Sequence, residues 1–276
     1  MSQITAAAVN ELRKRTDLPL MECKKALIET GGDIDKAIDW LRSQFGKIGV
    51  KREGNETGEG RVAVVVDGSN AAIVELRCES APSAKNELTG KLVEDVAKIV
   101  LKSNPKDVEA LNALPEVKTR IEETVGLIRE KMVIHRFKHL SNGVFGFYIH
   151  HDLAGGALVQ AEGTGSHDEL LRDIGAHAVA MNPQYMLPGD VPAEIVAKET
   201  AFIAEGIKAD PKNATKPANI IEKMADGKLK AWMGEAVLQE QPMVNATKYP
   251  GQTVGQALQK AGLKLKAVVR YKVGAA

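Results

Sequence analysis

The chain has 276 residues, 44% hydrophobic and 26% charged, the balance of a globular protein of one to three domains with ample core. Its 37 basic and 36 acidic residues leave a net charge of +1, which excludes a strong field for gathering nucleic acid or anionic lipid. Aromatic residues make up 4%, so stacking platforms for bases are scarce, and no apolar run has the length of a signal-peptide core or a membrane span. Two cysteines, Cys23 and Cys78, suit a reducing compartment better than a disulfide framework. The expectation is a cytoplasmic protein with both thiols serving as small buried hydrophobes.

Residues 1–45 read as three short helices. The segment from Leu12 to Leu27, LRKRTDLPLMECKKAL, holds helix signals up to Thr16 and then a break at Asp17-Leu18-Pro19. Pro19 lacks an amide donor and restricts Leu18, yet suits the first turn of a new helix. Leu18, Leu20 and Met21 therefore sit at or beside a helix N-terminus, an apolar tip to be covered by its own domain or offered to a partner. The second helix stops at Gly31-Gly32, which tolerate left-handed helix ends. Asp33 can cap the third, whose Ile34, Ala37, Ile38 and Leu41 recur at helical spacing.

Residues 46–60 read as a flexible linker, five of its fifteen residues being Gly, with no hydrophobic period. It should let the N-terminal unit move. Strands are predicted over 61–67 and 71–78, turned at Gly68-Ser69-Asn70, then helices over 85–102 and 116–129, and a strand over 132–140. A further strand pair, 144–151 and 156–162, precedes a helix over 168–181. Hairpin 61–78 with helix 85–102 echoes hairpin 144–162 with helix 168–181, which suggests two α+β halves sharing a core: 61–140 and 141–276. Residues 191–233 read as an inserted antiparallel helical hairpin, opened by Pro192 and turned between Ala209 and Pro217. A last helix, 253–262, and a last strand, 263–273, complete the fold class: α+β with antiparallel sheets.

Motifs for catalysis and cofactors are missing. Gly90-Lys91 and Gly227-Lys228 lack the upstream glycine and the following Ser or Thr of a phosphate loop. Gly163-Thr164-Gly165 follows a strand, but Asp168 stands where a third glycine belongs and would repel a pyrophosphate. His150 and His151 are adjacent on a predicted strand, hence on opposite faces. His135 and His139 would share a face but lie far apart, and His177 reads as a core histidine with a backbone partner. No metal, cofactor or catalytic set is expected, and the chain is read as a non-enzyme.

These segments resemble the elongation factor Ts family, the guanine-nucleotide exchange factors for elongation factor Tu. LRKRTDLPLMECKKAL with TGGDIDKAIDWLR resembles the family's N-terminal module, which implies a ubiquitin-associated-like three-helix bundle. ELRCESAPSAKN, Glu75 to Asn86, is similar without gaps to the family's ELNCETDFVAKN. Ala176 to Ala180 with Pro183 resembles its MHVAA segment, Lys216-Pro217 with IIEKMADGKLKAW its helical hairpin, and Gln241-Pro242 with Thr253-Val254-Gly255 its C-terminal core. The resemblance implies a protein that binds elongation factor Tu and accelerates GDP release, without direct contact to nucleic acid or membrane. It implies contacts from Arg13, Leu20 and Met21, from the Ser80–Ser83 loop, and from His150. It also implies that the 191–233 hairpin could pair complexes. Two departures stand out. The family's Thr-Asp-Phe-Val tetrad, which disturbs the Mg²⁺ region of Tu, is replaced by Ser80, Ala81, Pro82 and Ser83. The helical module that many members carry after the last strand is expected to be missing. The lost carboxylate and aromatic keep open the alternative of a protein-interaction scaffold that holds a partner without releasing nucleotide.

Overall fold

The computed structural model describes residues 4–16 and 18–275. Three helices come first: α1 (Ala6–Thr16), α2 (Leu20–Glu29) and α3 (Ile34–Lys51). Val9, Leu12, Leu18, Cys23, Leu27, Leu41 and Phe45 form their common core. α2 ends at Gly31 and Gly32, both at positive φ, and Asp33 caps α3 by accepting from the Lys36 N–H at 3.0 Å. Asp17 lies outside the described residues.

The expected linker needs correcting. α3 continues to Lys51, because Phe45 and Ile48 extend its apolar stripe onto a neighbouring helix, so only 52–58 remain between helix and strand. That short stretch is also tied down. Arg52 and Asn55 bind the Glu79 carboxylate at 2.9 and 2.8 Å, and Lys131 Nζ donates to the carbonyls of Glu53 and Asn55. Glycine content alone overstated the freedom of this segment.

β1 (Glu59–Asp67) and β2 (Asn70–Cys78) form the expected hairpin. A one-turn helix α4 (Ala81–Lys85) precedes α5 (Glu87–Ser103), so the predicted single helix begins with a corner capped by Asn86. α6 (Val108–Asn112), which the sequence reading passed over, leads into α7 (Pro115–Ile128) and β3 (Met132–Ser141). The second half holds β4 (Val144–Ile149), β5 (Gly155–Glu162) and α8 (Asp168–Met181). The helical hairpin α9 (Ala193–Ala209) and α10 (Ala218–Ala236) follows, then α11 (Val254–Lys260) and β6 (Lys264–Lys272).

Two antiparallel three-stranded sheets result, in orders β1-β2-β3 and β4-β5-β6. The repeat is therefore deeper than the sequence suggested. Each half runs strand, strand, helices, strand, with its last strand beside its second. Each also carries a β-bulge on that last pairing, after Glu75 in one and after Gln160 in the other. α5 and α7 cover the first sheet through Leu92, Val93, Val96 and Val125; α8 and α11 cover the second through Leu171, Ile174 and Leu258. Val62, Ile73, Phe145, Leu158 and Tyr271 join the halves.

A buried ion network reinforces this join. The Glu75 carboxylate is fully buried and receives Arg77 Nε at 2.8 Å and Arg136 Nε at 2.7 Å. Arg136 lies over the Tyr271 ring and donates to the Lys272 carbonyl, while Arg77 donates to the Ala275 carbonyl. The first residue of the ELRCES segment thus anchors the end of the chain.

Candidate functional site

The first exposed feature lies at the start of α2. The Pro19 carbonyl accepts from the N–H groups of Glu22 and Cys23 at 2.9 and 3.1 Å, which starts the helix. Leu18 turns inward and is 1% exposed, so it belongs to the core and not to the tip. Leu20 and Met21 are 45% and 69% exposed. They are not core of the three-helix unit, and two adjacent apolar side chains are left to solvent. Arg13 is exposed on α1 and makes no ion pair with another described residue.

The second feature is the corner between β2 and α4. Ser80 is the N-cap of α4, and Pro82 occupies its first turn, where a missing N–H costs nothing. The Ser80 N–H and hydroxyl both donate to the Glu130 carboxylate, at 3.0 and 2.7 Å. Ala81 and Pro82 project into solvent. Ser83, expected among the contact residues, is buried instead; its carbonyl accepts the Thr89 hydroxyl at 2.6 Å and closes the corner onto α5. A small side chain there is needed for packing and offers nothing outward. Arg61, half-buried with its guanidinium over Gly90, donates to the Ala84 carbonyl at 3.4 Å from behind.

The two features meet at residues 129–131, which the sequence reading did not single out. α7 ends with Arg129 in the left-handed conformation, φ 65°. Its guanidinium pairs with the carboxylate of Glu22, next to Met21. Glu130 holds Ser80, and the Lys131 N–H donates to Glu79 at 2.6 Å. A run of charged residues between a helix and a strand was the available signal; the left-handed turn that spreads those side chains was not visible in it. Glu79 is partly desolvated, which pushes its carboxyl up, but the donors of Lys131, Asn55 and Arg52 outweigh this and lower it.

His150 lies in the second half. β4 stops at Ile149, and His150 begins a tight turn in which its N–H donates to the Gly155 carbonyl at 2.8 Å. The turn overturns the expectation of opposite faces: the rings of His150 and His151 stand 4.2 Å apart, centroid to centroid. Tyr148 Oη lies 3.1 Å from His150 Nδ1. Together they open on a cleft of about 440 Å³ between the turn, α8 and β6, lined also by Asp173, His177, Val244 and Arg270. The Leu153 carbonyl accepts the Val62 N–H, so this turn is stitched to the first sheet.

His177 is buried, as expected, but held by more than backbone. The Val244 N–H donates to Nδ1 at 3.1 Å, which assigns the proton to Nε2, and that nitrogen lies 2.9 Å from Gln241 Oε1. Burial lowers its pKa, so the ring is neutral. His135 is the extra residue of the first bulge and His139 pairs with Asn104, so these two share no site. Burial raises the Cys78 thiol to about 11, an unreactive state. Among the described residues no cluster of His, Cys, Asp and Glu could hold a metal ion, and no helix is long and apolar enough to cross a membrane. The exposed features suit contact with another macromolecule.

Comparison with known proteins agrees with the motifs. Residues 83–275 match the family model described as Elongation factor TS. The chain is 39% identical to the elongation factor Ts of Thioalkalivibrio sulfidiphilus, the alignment covering 98% of this chain and 92% of that one. It is 38% identical to the elongation factor Ts of Cupriavidus taiwanensis, covering 99% and 92%, and 36% identical to that of Lacticaseibacillus casei, covering 99% and 93%.

Proposed function

The chain belongs to the elongation factor Ts family of translation elongation factors, and on that premise we propose that it binds elongation factor Tu·GDP and promotes GDP release. The observation that carries this reading is the pair of exposed elements, Leu20-Met21 and Ala81-Pro82, flanking one corner of the molecule. The three-helix unit serves as the ubiquitin-associated-like module, with Arg13, Leu20 and Met21 as its contacts. The Ser80–Ala81–Pro82 corner approaches the nucleotide side of the partner, and His150 meets another of its domains.

The thermodynamics are those of linkage. A protein that binds nucleotide-free Tu more tightly than Tu·GDP weakens GDP by the same factor. The difference must come from contacts that exist in one state only. Such a protein needs no nucleophile or acid–base pair. Ala81 and Pro82 supply neither a carboxylate nor an aromatic wedge, so displacement of the elements around Mg²⁺ and phosphate falls to the rigid corner and the docked three-helix unit. Pro82 and the Ser80–Glu130 hydrogen bonds support this by fixing the corner's direction. The hairpin α9–α10, with Phe202 72% exposed, is where complexes could pair.

Stopped-flow release of a fluorescent GDP from the cognate Tu tests the reading. Acceleration that saturates with protein concentration is expected. Stable binding with no acceleration would establish the scaffold instead.

A further inference from the structure

We propose that Arg129 and Glu130 are positioning residues that set the spacing and orientation of the two exposed elements, Leu20-Met21 and Ala81-Pro82. This rests on the reading above, in which both elements meet one partner. The geometry that carries it is a single backbone corner from which two consecutive side chains reach two different docking elements.

α7 is the common support. Its Leu127 packs into the core of the three-helix unit, and Phe45 of α3 lies directly on Gly126. One residue beyond the helix, Arg129 takes the left-handed conformation while its N–H still bonds the Val125 carbonyl at 2.8 Å. That turn diverts the chain and separates the directions of neighbouring side chains. Arg129 reaches the first turn of α2 at Glu22; Glu130 reaches the cap of α4 at Ser80. Lys131, next along, fixes Glu79 and the 52–55 stretch. Three consecutive residues thus hold three segments that are distant in sequence.

The contacts differ in strength. The Arg129–Glu22 pair is half-exposed and on its own contributes little. It acts as an orienting contact because hydrophobic packing has already brought α2 to the corner. The Glu130 carboxylate accepts from both the backbone and the hydroxyl of Ser80, so it fixes the rotamer and the direction of the residue that starts α4. Two contacts on a stiff connection reinforce one another through a high effective concentration, and loosening the connection lowers it.

The test uses the full chain. Spin labels on Met21→Cys and Ala81→Cys report the distance between the elements by pulsed electron resonance, without any partner; Cys23 and Cys78 are buried. One narrow distance is expected in the otherwise unaltered chain, and a distribution at least about twofold wider when Arg129→Asn and Glu130→Ala are added. Asn keeps the left-handed turn accessible. An unchanged distribution would overturn the proposal. GDP release then reads its consequence in unlabelled protein. Glu22→Arg and Arg129→Glu singly should each raise the concentration for half-maximal release about threefold or more, and the double swap should restore it. Singles without effect, or a double no better than either single, would also overturn it. Glu130→Gln, which keeps one acceptor, should fall between the unaltered chain and Glu130→Ala; equality of all three would count against it. If the unaltered chain did not accelerate GDP release from Tu, the functional reading would fail, and the distance measurement would still decide the positioning.

Discussion

The Phe45 ring occupies the space where a side chain on Gly126 would begin. A Cβ at Gly126 would stand 2.1 Å from the ring carbon Cδ1, closer than real atoms approach. This close crossing of α3 and α7 is what seats the three-helix unit on the first sheet. Gly126→Ala should therefore cost about 1–3 kcal/mol through overpacking, although alanine favours the helix itself. Denaturant titration measures the loss, and limited proteolysis between 52 and 58 should speed up. Unchanged stability and protection would mean that the two parts do not need this contact.

Leu18 and Leu20 differ by two positions and by side of the surface. Leu18→Asp would bury a charge in the three-helix core and should unfold that unit. Leu20→Asp with Met21→Asp acts on exposed positions and should leave the unfolding free energy of the chain within about 0.5 kcal/mol of its original value. The affinity for Tu should fall tenfold or more, about 1.4 kcal/mol, in calorimetry. Full affinity with an intact fold would remove the start of α2 from the interface.

Glu75 has two arginine partners and no exposure. Glu75→Ala would leave Arg77 and Arg136 facing each other without a counter-charge. The expected loss is about 3–5 kcal/mol, the range for breaking a buried pair by removing one partner. Tyr271, raised to about 12 mainly by burial, should become more accessible, which tyrosine fluorescence and solvent exchange at β6 would show. A loss below about 1 kcal/mol would mean that the charge network is incidental to the joining of the halves.

His177 gives the fold a pH dependence with a definite sign. Its folded pKa is lowered by burial, so the unfolded chain binds the proton at higher pH than the folded one. Stability from this residue is complete above about pH 6.5 and is lost as pH falls from there toward the lowered folded value. Protonation would place an N–H on Nδ1 against the Val244 N–H. The melting temperature should fall between about pH 7 and 5 more steeply in the unaltered chain than in His177→Gln. Equal slopes would assign the acid loss to other groups.

Much of the fold was legible because it rests on local patterns. α8 spans the expected 168–181, and the β1–β2 hairpin turns at the expected Gly68-Ser69-Asn70. The length of the linker was not legible, for a reason of the same kind. Glycine content reports what a free chain can do, whereas α3 was extended to Lys51 by packing on α7, a contact made with residues about eighty positions away. The candidate site divides in the same manner. Leu20 and Met21 stood out as apolar residues at a helix start, but only the packing of Leu18 beneath them left them exposed. Ser83 looked equal to its neighbours in the loop until the Thr89 hydroxyl closed over its carbonyl.

The sequence by itself determined the family, the α+β class, the order of nearly all elements and the loss of the Asp and Phe from the core motif. Those properties depend on residue identity and on spacings within a turn or a strand. The tertiary structure decided which apolar residues are left for a partner. It also brought Glu22 and Ser80 to adjacent residues of one corner, and it made Glu75 a buried anchor. Each of these needs side chains from separated segments to meet, and a left-handed turn at Arg129 or a bulge after Glu75 has no local signature that would announce it.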